Sequence, residues 1–458
     1  MVTLGRTRRI AALAMPLVAA GLLTACVPGT SAKDTKKAAS AGPVVTDPAK
    51  MGKVRIKVLD YFTGGVDVTW MKGVVTAFEQ KYPNITVDRT SMPWDDVMKS
   101  LPLKLRGANP PDIAPANNGW QSLGTLVQGG LVRNLDAYAN AYGWRKRFPA
   151  SILREHEFST DGKQMGTGSV FGTPVSRASL IEVYYNRALL SRIGATVPKT
   201  FADFEADLAK AKSAGTTPVS MGNVEQLGVT GPLFAVMDAL GPQNRISDFV
   251  YSQNSVKLAD TGFPQATAKV KEWADKGYFT KDFSGVPGPD AAQAFADGKA
   301  LFRFDYSGSL PLKKGQSKNF GSFLMPRADG GHPVATASSA TNFSVSAKSA
   351  HPDAAAAFLN FAASPEAAKL AVDDGTMPLL STIAKPSGDD PLFADDVAAA
   401  AQISETDASV PYLDWATPTF LTTIQTQAQD MLAGKAQADA VVKAAQADYD
   451  KFQTTLAK

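Results

Sequence analysis

The stretch KVRIKVLDYFTGGVDVTWMKGVVTAFEQKYPNITVDRTSM, residues 53–92, predicts a strand, a helix and a second strand. Residues 53–62 alternate apolar and polar side chains, which is the pattern of a half-buried strand. Residues 67–83 then repeat apolar side chains at helical spacing, and Pro83 ends the helix. Residues 84–92 alternate again. Because a helix connects the two strands, we expect them to be parallel neighbours in one sheet.

A second group of the same kind begins at SLIEVYYN, residues 179–186. Residues 197–215 predict a helix in which Thr200 caps the first turn and Asp203 completes a capping box. TPVSM, residues 217–221, predicts the next strand. Later strands are predicted at 300–306 and 343–347, and later helices at 266–277, 352–363, 364–375 and from Pro418 onward. This alternation predicts an α/β fold, and the chain is long enough for two lobes.

A secretory pattern precedes these elements. Arginines at positions 6, 8 and 9 are followed by an almost unbroken apolar run, residues 10–23, which is too short for a comfortable membrane span. LTAC, residues 23–26, resembles the bacterial lipobox, whose cysteine receives a lipid. Cys26 is the only cysteine in the chain, so it cannot form an internal disulfide. The alternative is a buried or incidental cysteine.

This pattern predicts where the protein works. We expect residues 1–25 to be a signal peptide and Cys26 to carry a lipid anchor. Residues 26–52 hold no aromatic side chain, so we expect a flexible tether. The protein would then stand on the extracellular face of the cell membrane, since lipid chains hold a protein by burying methylene groups in the bilayer.

Charge and motif content exclude several classes of function. The formal net charge is +4, and it falls to +1 without residues 1–25, which gives no basis for nucleic-acid binding. The three histidines are scattered, and no zinc spacing or nucleophile-elbow motif is present. We therefore expect no metal, no cofactor and no catalytic residues. A surface-anchored carbohydrate-active enzyme stays open as the alternative, because carboxylates distant in sequence can meet in space.

Several stretches, taken in order, resemble one family, the family 1 extracellular solute-binding proteins of bacterial ABC transporters, which are maltodextrin-binding-protein-like. The stretches cover most of the chain after residue 53, and each is short. They are PPDI (110–113), GLVRNLDAY (130–138), VYYNRALLSRIGATVPKTFADF (183–204), AAQAFADGKALFRFDYSGSL (291–310) and HPDAAAAFLNFAASPEAAKLAVDDGTMPLL (351–380).

The resemblance implies two α/β lobes joined by hinge strands, with the ligand in the cleft between them. We expect lobe 1 to comprise 53–172 plus about 318–350, and lobe 2 to comprise 173–317 plus about 351–458. The resemblance also implies a monomeric receptor that delivers a small molecule, here expected to be a sugar or oligosaccharide, to the transmembrane subunits of an ABC permease. A non-sugar solute or a sensor partner stays open.

Candidate ligand-binding residues follow the predicted strands, because ligands bind beyond the carboxyl ends of strands in open α/β sheets. Aromatic rings can cover the apolar face of a sugar, while carboxylates and amides bind its hydroxyls. The alternative for each tryptophan is core packing, and Arg177 either binds an anionic ligand or is simply solvated. The candidates are Thr63, Trp94, Asp95, Asn117, Asn118, Trp120, Arg177, Asn223, Asp305, Tyr306, Ser338, Ser339, Asp414 and Trp415.

Overall fold

The computed structural model describes residues 44–63, 65–175, 179–338, 341–373, 377 and 389–457. In these ranges the chain alternates strands and helices, as expected. The strands are β1 (Val54–Asp60), β2 (Ile85–Ser91), β3 (Ile113–Ala116), β4 (Glu157–Phe158), β5 (Ser169–Val170), β6 (Thr173–Pro174), β7 (Ser179–Asn186), β8 (Thr217–Val219), β9 (Ala300–Tyr306), β10 (Phe320–Phe323), β11 (Ala335–Ser338), β12 (Asn342–Val345) and β13 (Ser409–Val410).

The helices lie between these strands and after the last of them. None in the described ranges is long and apolar enough to cross a lipid bilayer. The helices are α1 (Gly65–Lys81), α2 (Trp94–Arg106), α3 (Thr125–Gln128), α4 (Asp136–Ala141), α5 (Trp144–Arg147), α6 (Ala150–Arg154), α7 (Arg187–Arg192), α8 (Phe201–Ser213), α9 (Thr230–Leu240), α10 (Gln243–Val250), α11 (Phe263–Asp275), α12 (Gly288–Ala296), α13 (Pro352–Ala362), α14 (Pro365–Asp373), α15 (Pro391–Thr406), α16 (Phe420–Leu432) and α17 (Ala438–Leu456).

The first sheet contains five strands in the order β2-β1-β3-β12-β6. β1 and β2 are parallel, as the stretch 53–92 predicts, with Val54 opposite Ile85. Helices α1 and α13 pack on this sheet, and α14 packs on both of them. The ring of Phe78 in α1 is fully buried and lies 5.2 Å from that of Phe358 in α13. The apolar face predicted for α1 is therefore a core face.

The second sheet has the order β13-β11-β7-β9-β8, and β10 also pairs with β7. β8 is parallel to β9, whereas β7 is antiparallel to it, so β9 separates the two strands that flank α8. The predicted capping box at the start of α8 is confirmed, because Asp203 N donates to Thr200 Oγ1 at 3.0 Å and Thr200 N donates to Asp203 Oδ2 at 3.0 Å. Phe204 and Trp273 pack against each other in the core of this lobe.

The pairing differs from the lobe boundaries expected at 318–350 and 351–458. β10 and β11 pair with β7 in the second sheet, and only β12 joins the first. α13, expected in lobe 2, packs on the first sheet, and α14, also expected in lobe 2, packs on α1 and α13. β10 stays with the second lobe because its buried Phe320 packs on Phe295 of α12, with ring centroids 5.1 Å apart.

Two connections between the sheets join strands that are paired neighbours. β6 pairs with β12 in the first sheet, and β7, the next strand after β6, pairs with β11 in the second. The chain therefore passes from the first sheet to the second between Pro174 and Ser179, and from the second sheet back to the first between Ser338 and Asn342. β9 lies wholly within the second sheet. Two α/β lobes with paired hinge connections are confirmed, at other positions than expected.

The last part of the expected tether is folded onto the first lobe. Residues Pro48–Lys50 form a 3₁₀ turn that Asp47 caps. Asn84 Nδ2 donates to Pro48 O at 2.8 Å and to Gly52 O at 2.7 Å. The expectation that 26–52 is flexible is thus wrong for 44–52, because its backbone carbonyls find partners on the lobe. Residues 26–43 lie outside the described residues.

Candidate functional site

A cavity of about 330 Å³ opens at the carboxyl ends of β8 and β9 in the second sheet. The two strands are parallel, so both end at the same edge. The first residues of α9 and α12 form part of its wall. Ligands bind at this end of the strands in open α/β sheets. The walls include Met221, Glu225, Thr230, Arg303, Asp305 and Tyr306.

An ion pair and an aromatic ring follow one another at the end of β9. Arg303 Nε donates to Asp305 Oδ2 at 2.6 Å, and both side chains are mostly buried. Asp305 Oδ1 also accepts from the backbone N of Tyr306 at 2.9 Å. Tyr306 is 41% exposed, so its ring presents a face to solvent beside the cavity. The strand end thus combines a fixed charge pair with an open aromatic surface.

The loop between β8 and α9 forms another wall. Glu225 is exposed, and its Oε2 accepts from the backbone N of Gly288 at 2.9 Å, which ties the loop to the start of α12. Asn223 lies fully buried behind the cavity lining, and its Oδ1 accepts from Val229 N at 3.2 Å. Its Nδ2 has no hydrogen-bond partner among the described residues. Asn223 therefore shapes the loop in this structure, while both N–H donors of its amide are left without an acceptor there.

A row of aromatic rings connects the cavity with the first lobe. The ring of Tyr306 lies 6.4 Å from that of Tyr412, which lies 5.5 Å from that of Trp415. Trp415 is buried in a 3₁₀ turn (Leu413–Ala416) that follows β13. Its Cβ touches the backbone of Gly119, which follows β3 in the first lobe. The candidate residues of the two lobes therefore belong to one continuous region.

A hydrogen bond across the lobes holds Asp414, another candidate, in the same turn. Gln121 Nε2 donates to Asp414 Oδ2 at 2.7 Å. The carboxyl is buried, and burial raises the pKa of Asp414 to about 6. The partner of this carboxyl in the present structure is thus a protein amide from the other lobe.

The carboxyl ends of the first sheet also meet, as expected for parallel strands. Trp94, which begins α2 after β2, packs edge-on against Tyr61, which follows β1, with ring centroids 4.9 Å apart. Thr63 is exposed in the same loop. Tyr61 Oη lies 2.8 Å from Thr341 Oγ1 at the crossing between the sheets. Asn117, at the end of β3, is half-buried.

Other candidates take part in buried networks. Asn118 Nδ2 donates to Glu155 Oε2 at 3.0 Å, and Asn118 Oδ1 accepts from Asn342 N at 3.1 Å. Ser338 Oγ donates to the same oxygen of Glu155 at 3.4 Å. Glu155 therefore joins the end of β3 to the last residue of β11, beside the hinge crossing. In this structure Asn118 and Ser338 hold the two lobes in place.

Two of the candidate tryptophans have no exposed ring face. Trp120 is 1% exposed and packs edge-on against Phe158 and Phe452, with centroids 5.2 and 5.1 Å away. Trp415 is 2% exposed. The expected stacking of ligand on these rings therefore has no free surface here, because both indoles fill the contact between lobes. Cys26, Arg177 and Ser339 lie outside the described residues, as does the side chain of Asp95.

Arg303, Tyr61 and Tyr412 belong to this region and are not among the candidates chosen from the sequence. Arg303 precedes Asp305 by two positions on β9, so strand alternation was the signal that could have paired them. Tyr61 stands at the predicted end of β1, and Tyr412 opens the YLDWATP stretch that supplied Asp414. Both tyrosines could have been found by the strand-end rule that selected their neighbours.

Comparison with known proteins identifies relatives over much of the chain. Residues 73–401 match the family model for bacterial extracellular solute-binding proteins. The multiple sugar-binding protein of Streptococcus mutans is 25% identical over 299 residues, which make up 64% of this chain and 67% of that protein. A putative binding protein of Brucella abortus is 30% identical over 170 residues, 36% of this chain and 38% of that protein.

Solved structures share the fold. A chitin oligosaccharide binding protein superposes with a TM-score of 0.72 and 20% identity over 88% of this chain and 99% of the other. A probable secreted solute-binding lipoprotein from Streptomyces coelicolor gives a TM-score of 0.68 and 20% identity over 86% of this chain and 98% of the other. With two α/β lobes, paired hinge connections and a family match over most of its length, the chain belongs to the bacterial extracellular solute-binding protein family.

Proposed function

We propose that this protein is an extracellular receptor that binds a sugar or oligosaccharide and delivers it to an ABC importer. The observation that carries the proposal is the cavity at the ends of β8 and β9, where the exposed ring of Tyr306 adjoins the Arg303–Asp305 pair. Its volume of about 330 Å³ lies at the small end of the range for ligand pockets.

The side chains of the cavity suit a saccharide. An aromatic face can cover the C–H face of a sugar ring, and a carboxylate beside a guanidinium offers both acceptors and donors to neighbouring hydroxyls. The cavity has further apolar lining from Met221 and Phe304. Relatives named as sugar-binding proteins support the same ligand class.

We infer that the two lobes close about the connections between their sheets. A ligand in the cavity would gain contacts with the first lobe only when the lobes close, so it would shift the population towards the closed form. The ends of β1, β2 and β3, with Thr63, Trp94 and Asn117, are the first-lobe surface that we infer to cover the ligand. We infer binding without catalysis, in keeping with relatives that are binding proteins.

Thermal unfolding of the full chain against a panel of sugars, polyols and glycerol phosphates tests this proposal. We expect one class of neutral saccharide to raise the unfolding midpoint, because a ligand that binds only the folded form stabilises it. The bound sugar should be recovered unchanged. A response confined to glycerol phosphate or another non-sugar solute would contradict the carbohydrate ligand, and a processed sugar would contradict binding without catalysis.

We also propose that a lipid on Cys26 anchors the receptor to the membrane. We expect Cys26→Ala to release the protein or to leave its precursor uncleaved, because the thiol that receives the lipid is gone. Membrane fractionation of cells that express both forms measures this. Retention of a processed Cys26→Ala protein in the membrane fraction would contradict the anchor, and Thr24→Ser serves as the control that keeps the cysteine.

A further inference from the structure

Two buried carboxyl groups lie between the second sheet and α15. Glu182 on β7 is fully buried, and Asp396 on α15 is 2% exposed. No ion pair or hydrogen bond links either group to a cation within the described ranges. Burial of a charged carboxylate without a cation is costly, so such a group takes up a proton more readily than in water.

The hydrogen bonds distinguish the two groups. Asp396 accepts three: from Ser322 Oγ at 2.7 Å, from Gly308 N at 3.1 Å and from Tyr184 Oη at 3.2 Å. Glu182 Oε1 accepts from Ser307 Oγ at 2.5 Å, while Glu182 Oε2 has no hydrogen-bond partner in the part of the chain that the structure describes. Donors stabilise the charged form of a carboxyl, so Asp396 ionises more readily and Glu182 is the group that keeps its proton.

The neighbouring charges leave this pair uncompensated. Asp305 lies opposite Glu182 on β9, but it is paired with Arg303. Asp395, next to Asp396 on α15, is paired with Arg187 at 2.8 Å. Arg303 and Arg187 thus each form an ion pair with one of the four carboxyls around β7. Neither arginine forms an ion pair with Glu182 or Asp396.

We propose that Glu182 carries a proton at neutral pH while Asp396 is ionised, and that this one-proton state holds the Ser307–Gly308 turn and α15 on the second sheet. Ser307 bonds to Glu182 and Gly308 bonds to Asp396, so both carboxyls hold the same turn. That turn directly follows Tyr306, which lines the cavity. Loss of the proton would place two anions at the base of this turn.

The pKa directions agree with the geometry. Burial, and then the charge of Asp396, raise the pKa of Glu182 well above its usual range. Burial also raises the pKa of Asp396, to about 6, against the effect of its three donors. Glu182 therefore remains the last of the two to ionise, and the folded state binds a proton that the unfolded chain releases.

The sign of the pH dependence follows. The pKa of this carboxyl is higher in the folded protein than in the unfolded chain, where it is near 4.3. The stability of the fold is therefore fully present below the unfolded pKa, and it is lost as the pH rises from there to the folded pKa. Over that window the folding equilibrium constant falls about tenfold per pH unit for each such proton. Glutamine is the neutral isostere of the protonated acid, so Glu182→Gln removes this loss.

Urea unfolding of the full chain between pH 5 and pH 9 tests the proposal without any ligand, so its outcome does not depend on the proposed function. We expect the folding constant of Glu182→Gln relative to wild type to increase with pH, by up to about tenfold per unit, and to keep increasing above pH 7. Glu366→Gln, an exposed surface glutamate paired with Lys81, is the matched control and should show no such increase.

Two results would overturn the proposal. One is a Glu182→Gln ratio that stays constant from pH 5 to pH 9. The other is a ratio that increases above pH 7 for Asp396→Asn instead, which would place the proton on Asp396. Should Glu182→Gln fail to fold, ¹³C NMR of wild-type protein labelled at its glutamate carboxyl carbons replaces it. We expect one glutamate carboxyl to keep the chemical shift of the protonated form at pH 7. A spectrum in which every glutamate carboxyl has the shift of the ionised form would contradict the assignment.

Discussion

Gly119→Ala should destabilise the protein by about 4 kcal/mol, from strain and overpacking together. Gly119 has φ 84° and ψ −173°, a backbone region that is essentially restricted to glycine. A Cβ at this position would lie 2.3 Å from the Cβ and 2.6 Å from the Cα of Trp415. The backbones of the two lobes approach here because no side chain intervenes. Urea denaturation measures the loss, which is a large part of an ordinary folding free energy.

Gly130→Ala is the matched control for this prediction. Gly130 also has a positive φ of 62°, but a Cβ there would meet nothing within 4 Å. Gly130→Ala should lower the free energy of unfolding only by the cost of a left-handed backbone at alanine, about 1 to 2 kcal/mol. Equal losses in the two variants would show that the contact with Trp415 adds nothing, and an unchanged Gly119→Ala midpoint would refute the close approach of the lobes.

Tyr306→Ala should weaken binding of the sugar found by the panel by about thirtyfold, or about 2 kcal/mol, a value typical of a tyrosine at the centre of a binding site. Tyr306 is 41% exposed in the ligand-free protein, so removal of its side chain takes away a contact surface and little of the core. Its backbone carbonyl, which accepts from Tyr184 Oη, is kept. Isothermal titration calorimetry measures the dissociation constant.

Leu103→Ala is the control for binding. Leu103 is 76% exposed on α2, outside the cavity, so its removal tests whether loss of any exposed apolar side chain alters affinity. We expect its dissociation constant to equal that of wild type. A Tyr306→Ala protein that unfolds like wild type and binds as tightly would show that the ligand does not rest on this ring, and the site would then have to be sought at the first-lobe edge.

Local pattern determined most of the elements. The alternation in 53–62, the apolar spacing in 67–83 and the Thr200–Asp203 capping box each report hydrogen bonding and burial within a few residues of chain, and the structure confirms all three. The parallel pairing of β1 and β2 followed because a helical crossover leaves few other arrangements. The strand-end rule also placed Asp305 and Tyr306 in the cavity wall.

Tertiary structure decided which elements belong together. β10 and β11 belong to the second sheet, and α13 and α14 pack in the first lobe. The sequence did not show this, because strand partners and helix positions depend on contacts between residues far apart in the chain. A tryptophan that binds ligand in a cleft and a tryptophan that packs in a core look the same in the sequence. Only the packing showed that Trp120 and Trp415 fill the contact between the lobes. The burial of Glu182 without a neighbouring cation likewise becomes evident only in the assembled fold, where β7, β10 and α15 surround it. The cost of a buried charge depends on every neighbouring group.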